Sequence, residues 1–302
     1  MKYSIMTEPQ LGGSYDEILR AALLAESEGL HSFARSDHLA WHREQAADAT
    51  DAFATLGGLA RDTETIRLCV LVTPITFRHP AIIAKSAATI DQMSGGRLDL
   101  GVGTGWNEFE HEALGIPFPD SSERWARLED AIGYLQAAFG DGHGTHAGRY
   151  YSLDLDVNPK PTGIRLIIGG SGPNRTPRLA GMHGDEYNFF MCPADEARAK
   201  IEIMRRAAGE RRVEATIMGP VTIAGSDAEL ADRLVAAASR RDITSDELIS
   251  RWEKAGLVFG TGGQVREKIA ALEEAGVERI YLQWLDLSDY GGLAQMLELV
   301  RG

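Results

Sequence analysis

A short stretch near the start of the chain combines side chains that could do chemistry. Residues 33–42 read FARSDHLAWH, so Asp37, His38 and Trp41 follow a strand-like run. Histidine can act as a general acid because its free pKa lies near neutrality, and Asp37 could orient it or bind a ligand hydroxyl. An isolated Asp-His pair is more often a loop cap beside a structural histidine, so the position of the pair in the fold decides its interpretation.

A second candidate stretch, residues 169–176, reads GGSGPNRT and precedes a helical segment. Glycines let the backbone approach a ligand and turn its N–H groups toward it, and a helix N-terminus adds favourable dipoles. Gly170, Ser171, Gly172 and Arg175 could therefore bind an anion such as phosphate, although an ordinary glycine-rich turn is equally compatible. The pattern is not G-x-G-x-x-G, so no Rossmann dinucleotide site is indicated.

A third stretch, GTGWNE at residues 103–108, could admit a flat ring against its backbone, with Trp106 near the wall of a pocket. A tight exit from a buried strand explains it equally well. Glu8 could be a pocket carboxylate or a solvated loop acid. The histidines show no metal-binding spacing, so we expect no metal site.

The elements that must position these side chains alternate between strand-like and helix-like segments. The strand-like segments are residues 3–8, 31–37, 67–73, 97–103, 165–170, 185–190, 215–225 and 279–286. Eight strands, each followed by at least one helix, predict an α/β fold, a single (β/α)8 TIM barrel over residues 1–302 with insertions after strands four and seven. Active sites of such barrels form from the loops after the strands, which favours a functional interpretation of Asp37 and His38.

Composition limits the class of protein. The formal net charge of −13 argues against nucleic acid, because a surface that follows a nucleic-acid phosphate backbone requires clustered lysines and arginines. Cys69 and Cys192 match no metal spacing and are expected to be buried, reduced thiols. No apolar run approaches the ~20 residues that span a bilayer, and the start of the sequence lacks a signal-peptide pattern, so we predict a cytoplasmic protein.

The sequence resembles the bacterial luciferase-like flavin oxidoreductases, specifically their deazaflavin (coenzyme F420)-dependent branch. The resemblance rests on RSDHLA, on TFRHPAIIAKSAATIDQMSGGRLDLGVGTGWNEFEHEALGIPFP, on IIGGSGPNRTPRLAGMHGDEYN and on TGGQVREKIAALEEAGVERIYLQWLD. With the MTEPQ segment near the start, these stretches cover nearly the whole chain.

The resemblance implies a (β/α)8 barrel whose C-terminal mouth holds the cofactor ring. It implies a non-prolyl cis peptide bond after strand three, between Val70 and Leu71, and a histidine, His38, that serves in proton transfer. It also implies cofactor contacts from Asp37, from Val70, Leu71 and Thr73, from Thr104, Gly105 and Asn107, and phosphate contacts from Gly170, Ser171, Gly172 and Arg175. Glu8, Trp41 and Trp106 would line the substrate pocket.

Some sugar-phosphate dehydrogenases of this branch carry a glutamate general base where this chain has Trp106, so the same mechanism is not expected here. The leading hypothesis is an F420-dependent oxidoreductase with a small organic substrate, and the resemblance favours a homodimer. One alternative is an FMN-dependent luciferase-like monooxygenase. Another is a non-catalytic flavin-binding relative, which the intact Asp37, His38, Thr104 and glycine-rich loop make less attractive.

Overall fold

The computed structural model describes residues 1–41 and 48–302. Its strands are β1 (Lys2–Thr7), β2 (Ser32–Arg35), β3 (Arg67–Pro74), β4 (Leu98–Gly103), β5 (Gly144–Ala147), β6 (Ser152–Leu155), β7 (Arg165–Gly169), β8 (Glu186–Phe190), β9 (Glu214–Ala224), β10 (Val258–Thr261) and β11 (Arg279–Trp284). Its α-helices are α1 (Tyr15–Ser27), α2 (Ala52–Asp62), α3 (Pro80–Ser94), α4 (Glu108–Leu114), α5 (Ser121–Phe139), α6 (Arg175–His183), α7 (Ala194–Ala208), α8 (Asp227–Ser239), α9 (Ser245–Lys254), α10 (Gly262–Glu274) and α11 (Tyr290–Arg301).

Parallel strands close into a barrel, which confirms the predicted (β/α)8 fold. The strands pair in the order β1-β2-β3-β4-β7-β8-β9-β11, and β11 pairs with β1 to complete the circle. Strand β3 illustrates why the sequence folds in this way, because its apolar run is buried almost throughout between the barrel interior and the surrounding helices. The carboxyl ends of the strands therefore meet at one mouth.

Two insertions lie where the sequence predicts them. After the fourth barrel strand, the antiparallel hairpin β5–β6 packs beside α5. After the seventh, helices α8 and α9 precede β10, a short parallel strand that the sequence reading missed. Strand β10 pairs with the last four residues of β9, outside the closed circle of strands.

The barrel interior has a charged end and an apolar middle. Near the N-terminal ends of the strands, Glu186 and Arg279 form a fully buried ion pair, and Arg165 and Glu214 pair beside them at 2.6 Å. Above them lies an apolar cluster formed by Met6, Ala34, Cys69, Leu71, Ile167 and Tyr281. Leu71 also belongs to the wall of the cavity at the C-terminal mouth, so this cluster supports the candidate site.

Candidate active site

A cavity of about 410 Å³ opens at the carboxyl ends of the barrel strands. Its wall contains the following sequence-predicted residues: Glu8, Asp37, His38, Leu71, Thr104, Gly105, Trp106, Gly170, Ser171 and Gly172. These residues come from loops far apart in the sequence, and barrel closure brings them together. Val70, Thr73, Asn107, Arg175 and Trp41 lie outside the wall, and the predicted roles of all these residues remain predictions.

The backbone at the end of β3 corrects one expectation. The non-prolyl cis peptide bond joins Leu71 and Val72, so the predicted Val70–Leu71 position is wrong by one residue. Val70 still pairs with Leu100 of β4, and pairing resumes only between Thr73 and Val102, which leaves one extra residue in β3. Val70 is therefore part of the regular, buried strand, and the irregular backbone begins after it. Val72, which the sequence reading did not single out, lines the cavity beside Leu71.

His38 is held by a carboxylate that the sequence analysis missed. The Nδ1 atom of His38 lies 2.8 Å from Oε1 of Glu110, and Oε2 of Glu110 accepts a hydrogen bond of 3.0 Å from the backbone N–H of Leu39. Glu110 is 1% exposed and lies on the cavity wall. Because Nδ1 is occupied, Nε2 is the ring nitrogen of His38 that can exchange a proton with a ligand.

Glu110 also changes the proton affinity of His38. Burial opposes a charge on the imidazole, but the hydrogen bond and the negative charge of Glu110 raise the pKa of His38 above its ordinary value. Glu8, another carboxylate of the cavity, acts in the same direction. The protonated form of His38 therefore persists to higher pH than in a free histidine, as a proton donor near neutral pH requires.

Glu110 belongs to α4, a helix absent from the predicted elements. The signals for it are Asn107 at its N-cap position, acidic residues in its first turn and Gly115 at its C-cap with φ of 70°. The neighbouring His111 is fully buried and fixes the helix, because Nδ1 donates to the carbonyl oxygen of Asn107 at 2.7 Å and Nε2 accepts from Thr76 at 2.7 Å. This anchor places Glu110 next to His38.

Asp37 is already engaged by a cation. Both of its carboxylate oxygens accept hydrogen bonds from Arg78, which also donates to Asp51 at 2.6 Å. Asp51 is the N-cap residue of α2. The Asp37 side chain therefore joins the end of β2 to the start of α2 and to the loop after β3. Any contact of Asp37 with a cofactor would occur beside this ion pair.

Glu8 is buried, not a solvated loop acid, with 8% of its surface exposed. Its Oε1 accepts from Nε2 of Gln283 at 2.5 Å, and its Oε2 accepts from Nε2 of Gln10 at 2.6 Å. The hydroxyl of Ser36 in turn donates to Gln10 at 2.8 Å. These contacts fix a second carboxylate on the cavity wall, at the ends of β1 and β11.

The glycine-rich loop faces the cavity at the start of α6. Gly170 has φ of 150°, and a Cβ there or at Gly172 would come within 3.3 or 3.2 Å of the Thr176 side chain. Ser171 and Thr176 supply hydroxyl groups on the same part of the wall. The loop is thus a cradle of backbone and hydroxyl groups at a helix N-terminus, which suits an anion.

Arg175 points to a different partner from the one predicted. Its guanidinium donates to Glu129 at 2.9 Å and lies over the ring of Trp125, with 4.5 Å between the guanidinium carbon and the ring centroid. Its side chain is about half exposed and lies outside the cavity wall. A phosphate in this loop would therefore meet backbone and hydroxyl groups first, while Glu129 holds the Arg175 guanidinium at the surface. The predicted phosphate contact of Arg175 stays a prediction.

Comparisons with known proteins identify the family of this chain. A family described as luciferase-like monooxygenases matches residues 1–279. The chain belongs to this family. A protein from Beutenbergia cavernae named F420-dependent glucose-6-phosphate dehydrogenase is 38% identical to this chain over 186 residues, which cover 60% of this chain and 54% of that protein. The chain thus spans about half the length of the curated relatives that it matches.

Two solved structures share the fold of this luciferase-like chain. A monooxygenase named RslO1 from Streptomyces bottropensis superposes with a TM-score of 0.80 at 20% identity, covering 99% of this chain and 97% of its own. An F420-dependent secondary alcohol dehydrogenase in complex with an F420-acetone adduct superposes with a TM-score of 0.79 at 20% identity, covering 99% and 98%. These likenesses establish the fold of the chain.

The described residues show neither a metal-ligand cluster nor a membrane-spanning helix. In residues 1–41 and 48–302, no three histidine, cysteine, aspartate or glutamate side chains come together as metal ligands would. Within the same ranges, no helix combines the length and apolarity that a membrane crossing requires.

Proposed function

We propose that this luciferase-like protein is an F420-dependent oxidoreductase that transfers hydride between the deazaflavin and a small organic substrate. The observation that carries the proposal is the arrangement of His38 and Glu110 on the wall of a cavity that also contains the anion cradle of Gly170, Ser171 and Gly172. The relatives named F420-dependent glucose-6-phosphate dehydrogenase support the choice of cofactor.

The residues present fit such a cofactor. The cradle at the start of α6 suits its phosphate, because a Cβ at Gly170 or Gly172 would crowd Thr176 and narrow the approach to the backbone. Leu71 and Val72 would offer an apolar surface to a ring, and Gly105, with φ of 76°, lets the loop after β4 turn along the cavity wall. When bound in its reduced form, the deazaflavin supplies hydride, which carries two electrons, from its C5.

His38 would complete the reaction as the proton donor. One carbon atom of a C=O or C=C group of the substrate would accept the hydride, and Nε2 of His38 would give its proton to the other atom of that double bond. The product is the substrate reduced by two electrons and two hydrogens, and His38 then regains a proton from water. Glu110 acts as a positioning residue, because it fixes the imidazole and favours its protonated form.

Titration of the purified protein with F420 and with FMN, followed by cofactor fluorescence, tests the proposal. We expect F420 to bind more tightly. FMN binding at least tenfold tighter, about 1.4 kcal/mol, would contradict the choice of cofactor. It would favour an FMN-dependent monooxygenase, the candidate that the match to a family described as luciferase-like monooxygenases supports.

A further inference from the structure

Two tryptophans stand at the mouth of the candidate active site. Trp106 is 66% exposed and Trp41 is 39% exposed, although large aromatic side chains usually bury most of their surface. Their ring centroids lie 6.1 Å apart, and each ring meets the imidazole of His38 edge to face, at 5.4 Å for Trp106 and 5.9 Å for Trp41. The proposed proton donor is thus flanked by exposed indole rings.

The cavity below the tryptophans is apolar and carries acidic groups. Apart from Leu71 and Val72, which the cofactor ring would cover, Pro74, Phe189, Phe190 and Met218 form its apolar wall. The ionisable side chains on the wall, apart from His38, are Glu8, Asp37 and Glu110. Among the residues that the structure describes, no lysine or arginine lines the cavity, and Arg78 behind the wall is bound by Asp37 and Asp51.

We propose that the substrate is an uncharged, flat and largely apolar molecule that binds against Trp106 and Trp41 and presents a C=O or C=C group to His38. This inference rests on the proposed function and specifies its substrate class. An apolar ring gains from contact with the indoles and from displacing water at their exposed faces. A sugar phosphate would bring its dianion to a wall on which the Glu8 carboxylate is hydrogen-bonded to amides and no described lysine or arginine is present. The nearby cations offer it little, because Arg78 is paired with Asp37 and His38 with Glu110.

Calorimetric titration of the F420-loaded protein tests the substrate class without requiring turnover. The probes are menadione, which is an uncharged bicyclic quinone, and glucose 6-phosphate. We expect menadione to bind at least tenfold more tightly than glucose 6-phosphate. Trp106→Ala and Trp41→Ala should each weaken menadione binding about tenfold, because each variant loses one aromatic contact and part of the apolar area that menadione buries on binding.

Two variants serve as controls. Trp106→Phe should keep menadione affinity within about threefold, and Tyr290→Ala, at an exposed aromatic residue outside the wall, should leave it unchanged. The proposed substrate class would be overturned if glucose 6-phosphate bound more tightly than menadione. It would also be overturned if neither Trp106→Ala nor Trp41→Ala changed the affinity for menadione. The preceding F420 titration reports separately on the proposed function, because failure to bind F420 is detected before either probe is added.

Discussion

His38 can donate a proton only while its imidazole is protonated, and Glu110 extends the pH range over which it stays protonated. In Glu110→Gln the hydrogen bond can persist but the charge is lost, so the raised pKa of His38 should fall. As the pH rises, the turnover rate should begin to fall at a lower pH in the variant than in the parent. The pH dependence of the single-turnover rate checks this, and an unshifted profile would exclude Glu110 from controlling the proton.

The same pKa shift predicts how stability depends on pH. Because the pKa of His38 is raised in the folded protein, its contribution to stability is fully present below the ordinary pKa of histidine, about 6.5, and disappears as pH rises through the raised value. Glu110→Gln should therefore lose more stability at pH 5.5 than at pH 9. Urea unfolding at the two pH values provides the comparison.

Replacement of His38 tests proton transfer directly. His38→Ala should reduce the single-turnover rate by about 10²–10⁴, the usual contribution of general acid catalysis, while F420 affinity stays within a few fold. His143→Ala is the matched control, because His143 is exposed, lies immediately before β5 and is outside the cavity wall. If His38→Ala lowers only the melting temperature and keeps the single-turnover rate per folded molecule, His38 has a structural role.

At the scale of elements, the loop between β7 and α6 should determine phosphate affinity. Gly172→Val places a Cβ 3.2 Å from Oγ1 of Thr176 and adds two methyl groups, so it should weaken F420 binding tenfold or more. Arg175→Ala should weaken F420 binding only two- to threefold, since Arg175 pairs with Glu129 at the surface.

Gly263→Val is the control for the loop variant, because a Cβ at Gly263 meets nothing within 4 Å. Fluorescence titration with F420, supported by circular dichroism to verify folding, measures all three variants. Unchanged affinity in both Gly172→Val and Arg175→Ala would place the phosphate elsewhere on the protein.

The elements also show what the sequence could and could not predict. The barrel strands were predictable, because alternating strand and helix signals recur eight times and the order of the strands follows from closure. Helix α4 was missed because its seven residues show little apolar periodicity, and with it Glu110 was missed. The contact between Glu110 and His38 spans 72 residues, and no local pattern encodes such a contact. Arg78, the partner of Asp37, was missed for the same reason.

For the whole molecule, the charged end of the barrel interior was equally hidden in the sequence. Arg165, Glu186, Glu214 and Arg279 each stand at the start of a strand, where a polar residue ordinarily faces solvent. The fold turns them inward and pairs them with one another. The predicted homodimer belongs to this scale as well and stays a prediction, which sedimentation equilibrium of the purified protein can test.

The ion pair between Arg279 and Glu186 allows a prediction about the stability of the whole barrel. Arg279→Met removes the cation and leaves the buried Glu186, which also accepts hydrogen bonds from Thr216 at 2.7 Å and Tyr281 at 3.0 Å, with Arg165 at 3.5 Å as its nearest remaining cation. Removing one partner of a buried pair typically costs about 3–5 kcal/mol. Arg301→Met, which breaks the exposed pair with Glu28, should cost less than about 1 kcal/mol.

Acid unfolding of Arg279→Met provides an independent readout of the same buried charges, through Glu214, which lies 3.5 Å from Arg279. Burial opposes ionisation of Glu214, but Arg279 and Arg165 lower its pKa to about 2. Because the pKa of Glu214 is lower in the folded protein than in the unfolded chain, where it is about 4.3, its ionised carboxylate stabilises the fold at pH values above about 4.3. That contribution disappears as the pH falls toward 2. Without Arg279 the pKa of Glu214 should rise, so the variant should unfold at higher pH than the parent.

Because Arg279 and Glu186 lie at the opposite end of the barrel from the cavity, the F420 affinity of the folded variant should be unchanged. A variant as stable as the parent in both urea and acid would show that these buried charges contribute little to the fold.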